Sequence, residues 1–343
     1  MNKQQATSQF IKVGFFLLLF LIDISLIHGQ QAKRIDKVSI TVADLDRSVE
    51  FYTTVLPFQL VKRSEVKGAA IQQLFGIKDK HLSVELAQLK LGTEYIELME
   101  FNTNIPSRQI PYDSRSNDLW FQHIAIVVSD MDKAYEQVAK HRVEHVSTSP
   151  QTLPDYIPAA SGISAFYFRD PDDHNLELIY FPEGKGNPRW QNAQGQLFLG
   201  IDHSAIGIEE TEESLDFYQD LIGLKVAGNS ENFGPQQERL NQVFGARLLI
   251  TGLTGQEGFG LEFLDYIAPP GGKPYPTDST PADLWHWHTA IKVNDIEGLY
   301  QKAIEHGYVI ISNGITSLKD TGLGLEKGLL LRGPDGHALL LYQ

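Results

Sequence analysis

The sequence predicts an α+β protein built from four copies of one strand–helix–strands module. The first observation is an internal repeat. DLWFQHIAIVV at 118–128 and DLWHWHTAIKV at 283–293 share Asp-Leu-Trp, a histidine and an apolar run, about 165 residues apart. The second observation is that each half contains two strand-like alternations, each followed by a helical periodicity. Because a module of this size buries too little surface alone, we expect the modules to pair.

Each module opens on a short alternating strand, and an acidic turn that can begin a helix follows. The opening strands read VSITV, HIAIVV, HSAIGI and HTAIKV. The helical segments read RSVEFYTTVL, KAYEQVAKH, ESLDFYQDLI and EGLYQKAIEHG. The closing strands read YIELMEF, NLELIYF, GLEFLDY and ALLLYQ. The same order of elements in all four segments supports a duplicated chain.

The four modules group into two halves. The stretch 35–61 aligns with 201–227, and 168–180 aligns with 331–343. We therefore predict an N-terminal domain at 33–190 with modules 1 and 2, and a C-terminal domain at 197–343 with modules 3 and 4. The segment GKGNPRWQNAQGQ between the repeats has the composition of a linker.

The composition excludes several classes of function. The formal net charge is −14 and no basic block occurs, so nucleic acid is not an expected partner. The chain has no cysteine, which excludes disulfides, zinc–thiolate sites and thiol nucleophiles. Any metal must therefore be bound by histidine, aspartate or glutamate, ligands that suit Fe(II), Mn, Zn, Ni or Mg.

Residues 1–32 have the layout of a signal peptide. Two lysines precede the apolar run VGFFLLLFLIDISLI, and polar GQQAKR follows it. The run is shorter than the ~20 apolar residues that a spanning helix needs. We expect cleavage near Gly29 and export to the periplasm or outside the cell. An uncleaved N-terminal anchor is the alternative.

Eight positions of the repeat stand out as candidate site residues. Alternate residues of a strand share a face, and the first position of each opening strand is polar. Three of the four matching positions on the closing strands hold a glutamate between apolar neighbours, where a carboxylate needs a partner. The opening-strand residues are Lys37, His123, His203 and His288, and the closing-strand residues are Glu97, Glu177, Glu262 and Leu340.

This pattern of modules and polar positions resembles the vicinal oxygen chelate superfamily. That group includes glyoxalase I, bleomycin resistance proteins and extradiol dioxygenases. The resemblance implies four βαβββ modules, paired into two cup-shaped, partly open β-barrels with peripheral helices. It also implies one group of four ligand positions per cup. With pairing inside each half, the first cup would hold Lys37, Glu97, His123 and Glu177, and the second His203, Glu262, His288 and Leu340.

The second of these cups is the expected metal site. His203, Glu262 and His288 would bind one divalent metal, with Fe(II) or Mn(II) favoured and Zn or Ni as alternatives. In the first cup, an ammonium at Lys37 would pair with Glu97 and Glu177 and replace the metal. The alternative is a second metal bound by Glu97, His123 and Glu177.

The resemblance implies a function but no substrate. We expect an exported enzyme whose metal chelates adjacent oxygens of a small substrate, in an extradiol-dioxygenase-like or a glyoxalase- or lyase-like reaction. The alternatives are a non-catalytic small-molecule-binding protein and an interaction protein with vestigial cups. No catalytic residue is assigned. The expected partner is a small molecule, with no nucleic acid, no stable membrane span after signal removal, and a monomer or homodimer as the assembly.

Overall fold

The computed structural model describes residues 31–343. The predicted signal peptide therefore lies almost wholly outside the described residues. Across the described chain, no helix combines the length and the apolar composition that crossing a membrane requires.

Modules 1 and 2 each contain an opening strand, a helix and a set of later strands. Module 1 contains β1 (Ala32–Thr41), α1 (Leu45–Thr54), β2 (Gln59–Lys67), α2 (Ala69–Phe75), β3 (Ser83–Leu91) and β4 (Glu94–Asn102). Module 2 contains β5 (Gln122–Val128), α3 (Met131–Lys140), β6 (Glu144–His145), β7 (Gln151–Thr152), β8 (Ser164–Arg169) and β9 (Asn175–Tyr180).

Modules 3 and 4 repeat this order after a linker that contains a 3₁₀ turn at Pro188–Gln191. Module 3 contains β10 (Phe198–Ile208), α4 (Thr211–Leu215, continued as a π-helix at Asp216–Leu221), β11 (Lys225–Phe233), α5 (Pro235–Asn241), β12 (Arg247–Thr254), β13 (Glu257–Gly258) and β14 (Gly260–Ala268). Module 4 contains β15 (Trp287–Val293), α6 (Ile296–Glu305), β16 (Thr316–Ser317), β17 (Lys327–Arg332) and β18 (Ala338–Tyr342).

The acidic turns after the opening strands begin the helices. The carboxylate of Asp44 accepts a hydrogen bond from Arg47 N at the start of α1, and Asp130 accepts one from Lys133 N at the start of α3. Asp295 does the same for Gly298 N at the start of α6. An aspartate at this position satisfies an otherwise unpaired N–H of the first turn. The prediction that these turns begin helices is confirmed.

The strands form two nine-stranded mixed sheets, each with a main path of eight strands from two modules; outside these paths, β13 of module 3 pairs with β1 in the first sheet, and β7 pairs with β8 in the second. In the first, the order is β16-β17-β18-β15-β1-β4-β3-β2, so module 4 pairs with module 1. In the second, the order is β11-β12-β14-β10-β5-β9-β8-β6, so module 3 pairs with module 2. We call the concave faces of these sheets cup 1/4 and cup 2/3. The prediction of two cup-shaped sheets made of paired modules is confirmed.

The assumed pairing inside each half of the chain is wrong. The opening strand β1 pairs antiparallel with β15, and β5 pairs antiparallel with β10. Each half therefore contributes one module to each sheet. All four opening strands have the same apolar alternation, so either pairing buries an apolar face, and the alternation alone does not choose between them.

The main apolar core lies on the faces of the two sheets opposite the cups. Val38 and Ile40 of β1 and Ile124 and Ile126 of β5 are buried there, together with apolar residues of the helices. These residues alternate with the candidate ligand positions along the same strands. The strand period therefore separates the core face from the site face.

Candidate metal centre

Two rows of neighbouring residues cross the centre of cup 2/3. Glu177 lies beside Ala125, and Ala125 lies beside His203. In the next row, His123 lies beside Ala205, and Ala205 lies beside Glu262. The two alanines are buried and small, and they separate the polar residues of each row. Four donor side chains therefore project from one face around a centre lined by methyl groups.

The donor atoms lie close together. His123 Nε2 is 3.0 Å from Glu177 Oε2, and His203 Nε2 is 3.7 Å from the same oxygen. His203 Nε2 is also 3.5 Å from Glu262 Oε1. His123, Glu177 and His203 each offer an atom within 4.8 Å of the others, which makes them a candidate three-residue metal site. Glu262 stands beside this group as a fourth donor.

Three of the four imidazole nitrogens of the group lack hydrogen bonds. Both ring nitrogens of His123 and Nε2 of His203 are buried without a hydrogen-bond partner among residues 31–343. Buried polar atoms in folded proteins are normally satisfied, so orphaned imidazole nitrogens beside two carboxylates need a partner. A divalent cation among the four side chains would satisfy them, and this donor set fits such an ion.

A further carboxylate orients His203. Asp202 Oδ2 lies 3.0 Å from His203 Nδ1, and the indole N–H of Trp190 donates to Asp202 Oδ1. A carboxylate on one imidazole nitrogen turns the other nitrogen toward the metal and raises its basicity. Trp190 belongs to the linker, so the segment between the two halves of the chain supports a ligand of the centre.

Charge in cup 2/3 favours a cation. Burial opposes a charge on His203, but Glu262, Asp202 and Glu177 raise its pKa to about 10. Burial raises the pKa of the Glu262 carboxyl; His203 opposes this shift and Glu177 adds to it. The carboxylates thus outweigh burial at His203, whereas at Glu262 burial is the largest cause and Glu177 adds to it, so the cup holds an excess of buried carboxylate.

The corresponding rows of cup 1/4 hold different chemistry. Lys37 lies beside Ala290 and Ala290 beside Leu340, while His288 lies beside Ser39 and Ser39 beside Glu97. Lys37 Nζ donates to Glu97 Oε2 at 2.7 Å. The structure thus brings one lysine, one glutamate and one histidine together, with a leucine at the fourth position.

The structure divides the predicted ligands between the two cups in a different way from the sequence-based prediction. His203 and Glu262 lie in cup 2/3 with His123 and Glu177, whereas His288 lies in cup 1/4 with Lys37 and Glu97. The predicted set of His203, Glu262 and His288 is therefore not assembled. The alternative set of Glu97, His123 and Glu177 is also divided, and Lys37 reaches Glu97 but not Glu177. The physical reason is the strand pairing between the halves of the chain.

Two features of the centre were missed in the sequence. Asp202 comes directly before His203, and a carboxylate next to a candidate ligand could have been noted as an orienting group. Tyr167 packs with its ring 4.9 Å from that of His123. It lies on β8 opposite Glu177, so the strand order had to be known before it could be found.

The fold and the donor set define a class of protein: paired βαβββ modules with metal-ligand positions inside a cup. The chain belongs to the Glyoxalase/Bleomycin resistance protein/Dioxygenase superfamily, whose family model matches residues 34–178 and 200–341. The resemblance drawn from the sequence is thereby confirmed.

Similar proteins include enzymes of two kinds. The chain is 31% identical over 156 residues to a 2-epi-5-epi-valiolone epimerase from Actinomyces sp, covering 45% of this chain and 82% of that protein. It is 26% identical over 201 residues to glyoxalase I from Saccharomyces cerevisiae, covering 56% of this chain and 57% of that protein. Glyoxalase I from Zea mays has a similar fold, with a TM-score of 0.60 at 18% identity over 91% of this chain and 93% of that one.

Proposed function

We propose that this protein is a metal-dependent isomerase or epimerase of a small hydroxy-carbonyl compound. The observation that carries the proposal is the convergence of His123, Glu177, His203 and Glu262 above two alanines in cup 2/3. We assign His123, Glu177 and His203 as the metal ligands, with Glu262 beside them as the fourth donor. Fe(II) or Mn(II) is our first expectation for the metal, and Zn or Ni also suits two imidazoles with carboxylates.

A metal in this cup would hold two adjacent substrate oxygens and stabilise negative charge on them. The protein would supply the base. Glu262 is the most exposed of the four donors, with 23% of its side chain accessible against 6% for Glu177. As the most accessible donor, it is the carboxylate that a bound substrate can reach most directly.

We assign to Glu262 the removal of a proton from the carbon beside the substrate carbonyl. The electron pair of the C–H bond forms a C=C bond as the carbonyl π pair moves onto its oxygen, which gives an enediolate. Protonation of the same carbon on the opposite face, by water, gives the epimer. Return of the proton from Glu262 to the neighbouring carbon, with loss of the hydroxyl proton as the new carbonyl forms and a proton gained by the other oxygen, gives the isomer. Return to the same carbon inverts a stereocentre, which is what the name of the related epimerase describes. Glu177 lies near both histidines and would stay a ligand.

A second candidate reaction is oxygen-dependent cleavage. His123, Glu177 and His203 alone form a set of two histidines and one carboxylate, which is typical of non-haem Fe(II) oxygenases. In that reaction Glu262 would not act as a base. A third alternative is binding without catalysis.

Location and assembly stay part of the proposal. The layout of residues 1–32 supports export, with the uncleaved anchor as its alternative. A monomer or a homodimer is the expected assembly.

The experiment is proton exchange in deuterated water. The chain is loaded anaerobically with Fe(II) or Mn(II) and incubated with a panel of α-hydroxyketones and hydroxylated cyclohexanones, and deuterium at the carbon beside the carbonyl is followed by NMR. We expect metal-dependent uptake that a chelator abolishes. Oxygen consumption with catechols would favour the second candidate, and saturable binding without exchange or oxygen uptake would favour a binding protein.

A further inference from the structure

A cavity of about 480 Å³ lies outside both groups of ligand positions. It is formed where modules 1, 3 and 4 meet. Its apolar wall includes Phe75, Ile77 and Ile311, and Tyr275 lines another side. This volume is within the range of small-molecule sites, which run from about 300 to 1,000 Å³.

One charged side chain is buried in the wall of this cavity. Arg332 is 8% exposed, and its guanidinium lies 4.9 Å from the ring centre of Tyr275. It donates to the backbone carbonyls of Gly336 and Ser279. In the part of the chain that the structure describes, no carboxylate forms an ion pair with it. A buried cation fixed by neutral groups favours an anionic partner.

The equivalent arginine in module 2 shows which counter-charges are missing around Arg332. Arg169 occupies the position of Arg332, before the turns RDPDDH and RGPDGH. Its guanidinium lies 3.1 Å from Glu144 and 3.9 Å from Asp173. Glu144 pairs with Arg169 across two strands, whereas Arg332 N donates to Val309 O at the matching place.

The two carboxylates that balance Arg169 are thus absent around Arg332. Val309 stands in the place of Glu144, and Gly336 stands in the place of Asp173. The cavity beside Arg169 is also smaller, about 250 Å³, and it is lined by Asn175, Asn241 and Gln242. Module 4 has therefore lost the counter-charges of its arginine where the cavity is larger and more apolar.

We propose that this cavity binds a small organic monocarboxylate. The carboxylate would lie on the guanidinium of Arg332, with its apolar body against Phe75, Ile77 and Ile311. Two acids also line the cavity: Asp335, which accepts hydrogen bonds from Glu209 N and Ser214 Oγ, and Glu209 itself. Their negative charge disfavours phosphates and dicarboxylates, so a single charge is the best fit.

The test is calorimetric titration of the full, metal-loaded chain with benzoate and hexanoate, with benzamide and hexanamide as neutral analogues of the same shape. We expect the acids to bind and the amides to bind at least about ten-fold more weakly, the scale of a hydrogen bond to a charged group. Equal affinity for acids and amides, or no binding of either acid, would overturn the proposal.

The decisive variant is Val309→Glu. Val309 is 59% exposed, so the substitution leaves the core intact while it supplies the carboxylate that Glu144 gives to Arg169. We expect benzoate affinity to fall about ten-fold or more, and we expect Val309→Gln, the uncharged match, to retain it. Unchanged affinity in Val309→Glu would contradict the role of Arg332.

His203→Ala separates this site from the metal centre. Benzoate affinity should survive that substitution, because His203 lies in cup 2/3 and does not line the cavity. Loss of binding would mean that the carboxylate had bound the metal instead.

Discussion

Cup 2/3 and cup 1/4 are built on the same strand pairs in the same register, yet their chemistry is opposite. Across the repeat, Lys37 stands where His203 stands, and Leu340 stands where Glu177 stands. The other two positions match, with Glu97 for Glu262 and His288 for His123. Two substitutions therefore separate a group of four metal donors from a group that holds its own cation.

The comparison shows that the shared strand pairing fixes where the four side chains of each cup lie. The charges of those side chains decide whether the cup can bind a metal. In cup 1/4, burial would raise the pKa of Glu97, but the ammonium of Lys37 holds that pKa below its usual range. Burial lowers the pKa of His288 to about 4, and Lys37 adds to this effect against the pull of Glu97. A neutral histidine beside an ammonium–carboxylate pair leaves no excess negative charge for a metal to balance.

The largest expected effect separates the two equivalent glutamates. Glu262→Gln should lower metal-dependent deuterium uptake by about 10²–10⁴-fold, the usual contribution of a general base. Glu97→Gln should leave uptake near the wild-type rate, provided that circular dichroism shows a folded chain. Equal losses in both variants would remove the distinction between the cups.

Acid stability should reveal the neutral histidine of cup 1/4. The pKa of His288 is about 4 in the fold and about 6.5 in the unfolded chain, so the unfolded state takes up the proton first. Its contribution is full above pH 6.5 and falls as the pH drops toward 4, by on the order of 3 kcal/mol.

The measurement is urea unfolding of wild type and His288→Gln between pH 7 and pH 4, with a chelator so that metal binding does not contribute; His203 and Glu262 titrate alike in both proteins. The variant should lose less stability over this range than the wild type. His337 also has a pKa lowered by burial to about 4, so part of the dependence should remain in the variant. Identical slopes for both proteins would contradict the neutral state of His288.

Much of the centre was predictable from residues that share a face. The strand period placed all eight candidate positions on the site faces, and their chemistry indicated metal ligation. The grouping was not predictable from periodicity, because it depends on β1 meeting β15 across most of the chain. Such long-range pairing is specified by tertiary contacts rather than by local pattern.

One signal in the sequence did favour the observed pairing. Modules 2 and 3 each keep a histidine with a glutamate, as His123 with Glu177 and His203 with Glu262. Module 1 has a lysine in place of the histidine, and module 4 has Leu340 in place of the glutamate. Only the pairing of modules 2 and 3 unites the two intact modules. The missing counter-charges of Arg332 were only partly visible in the sequence: Gly336 in place of Asp173 can be read from the aligned turns, whereas Val309 in place of Glu144 requires the strand pairing to be known.

Metal affinity should distinguish the two cups through their histidines. His203→Ala removes a ligand of cup 2/3 and should weaken metal binding by about 10–100-fold, the range found even for groups that only support a ligand. His288→Gln should leave affinity unchanged, because His288 lies in the other sheet. Competition with a chromogenic chelator measures both. Equal losses in both variants would restore the ligand set that the sequence first predicted, in which His203 and His288 bind the same metal.

The smallest effect, a change from one metal to two, would convert one cup into the other. Lys37→His removes the ammonium from Glu97 and supplies an imidazole where His203 stands in cup 2/3. Leu340→Glu adds the remaining carboxylate beside Ala290. Lys37→His together with Leu340→Glu should then bind a second metal, measured by elemental analysis after gel filtration.

Lys37→Met is the matched control, because it also removes the ammonium but offers no imidazole. It should stay at one metal and be less stable than wild type, since Glu97 loses its partner. Two metals in the wild type would show that the Lys37–Glu97 pair does not exclude a metal. One metal in the double variant would show that residue identity at these positions is not sufficient, and that the packing of Phe75 and Leu330 around Leu340 also keeps cup 1/4 closed.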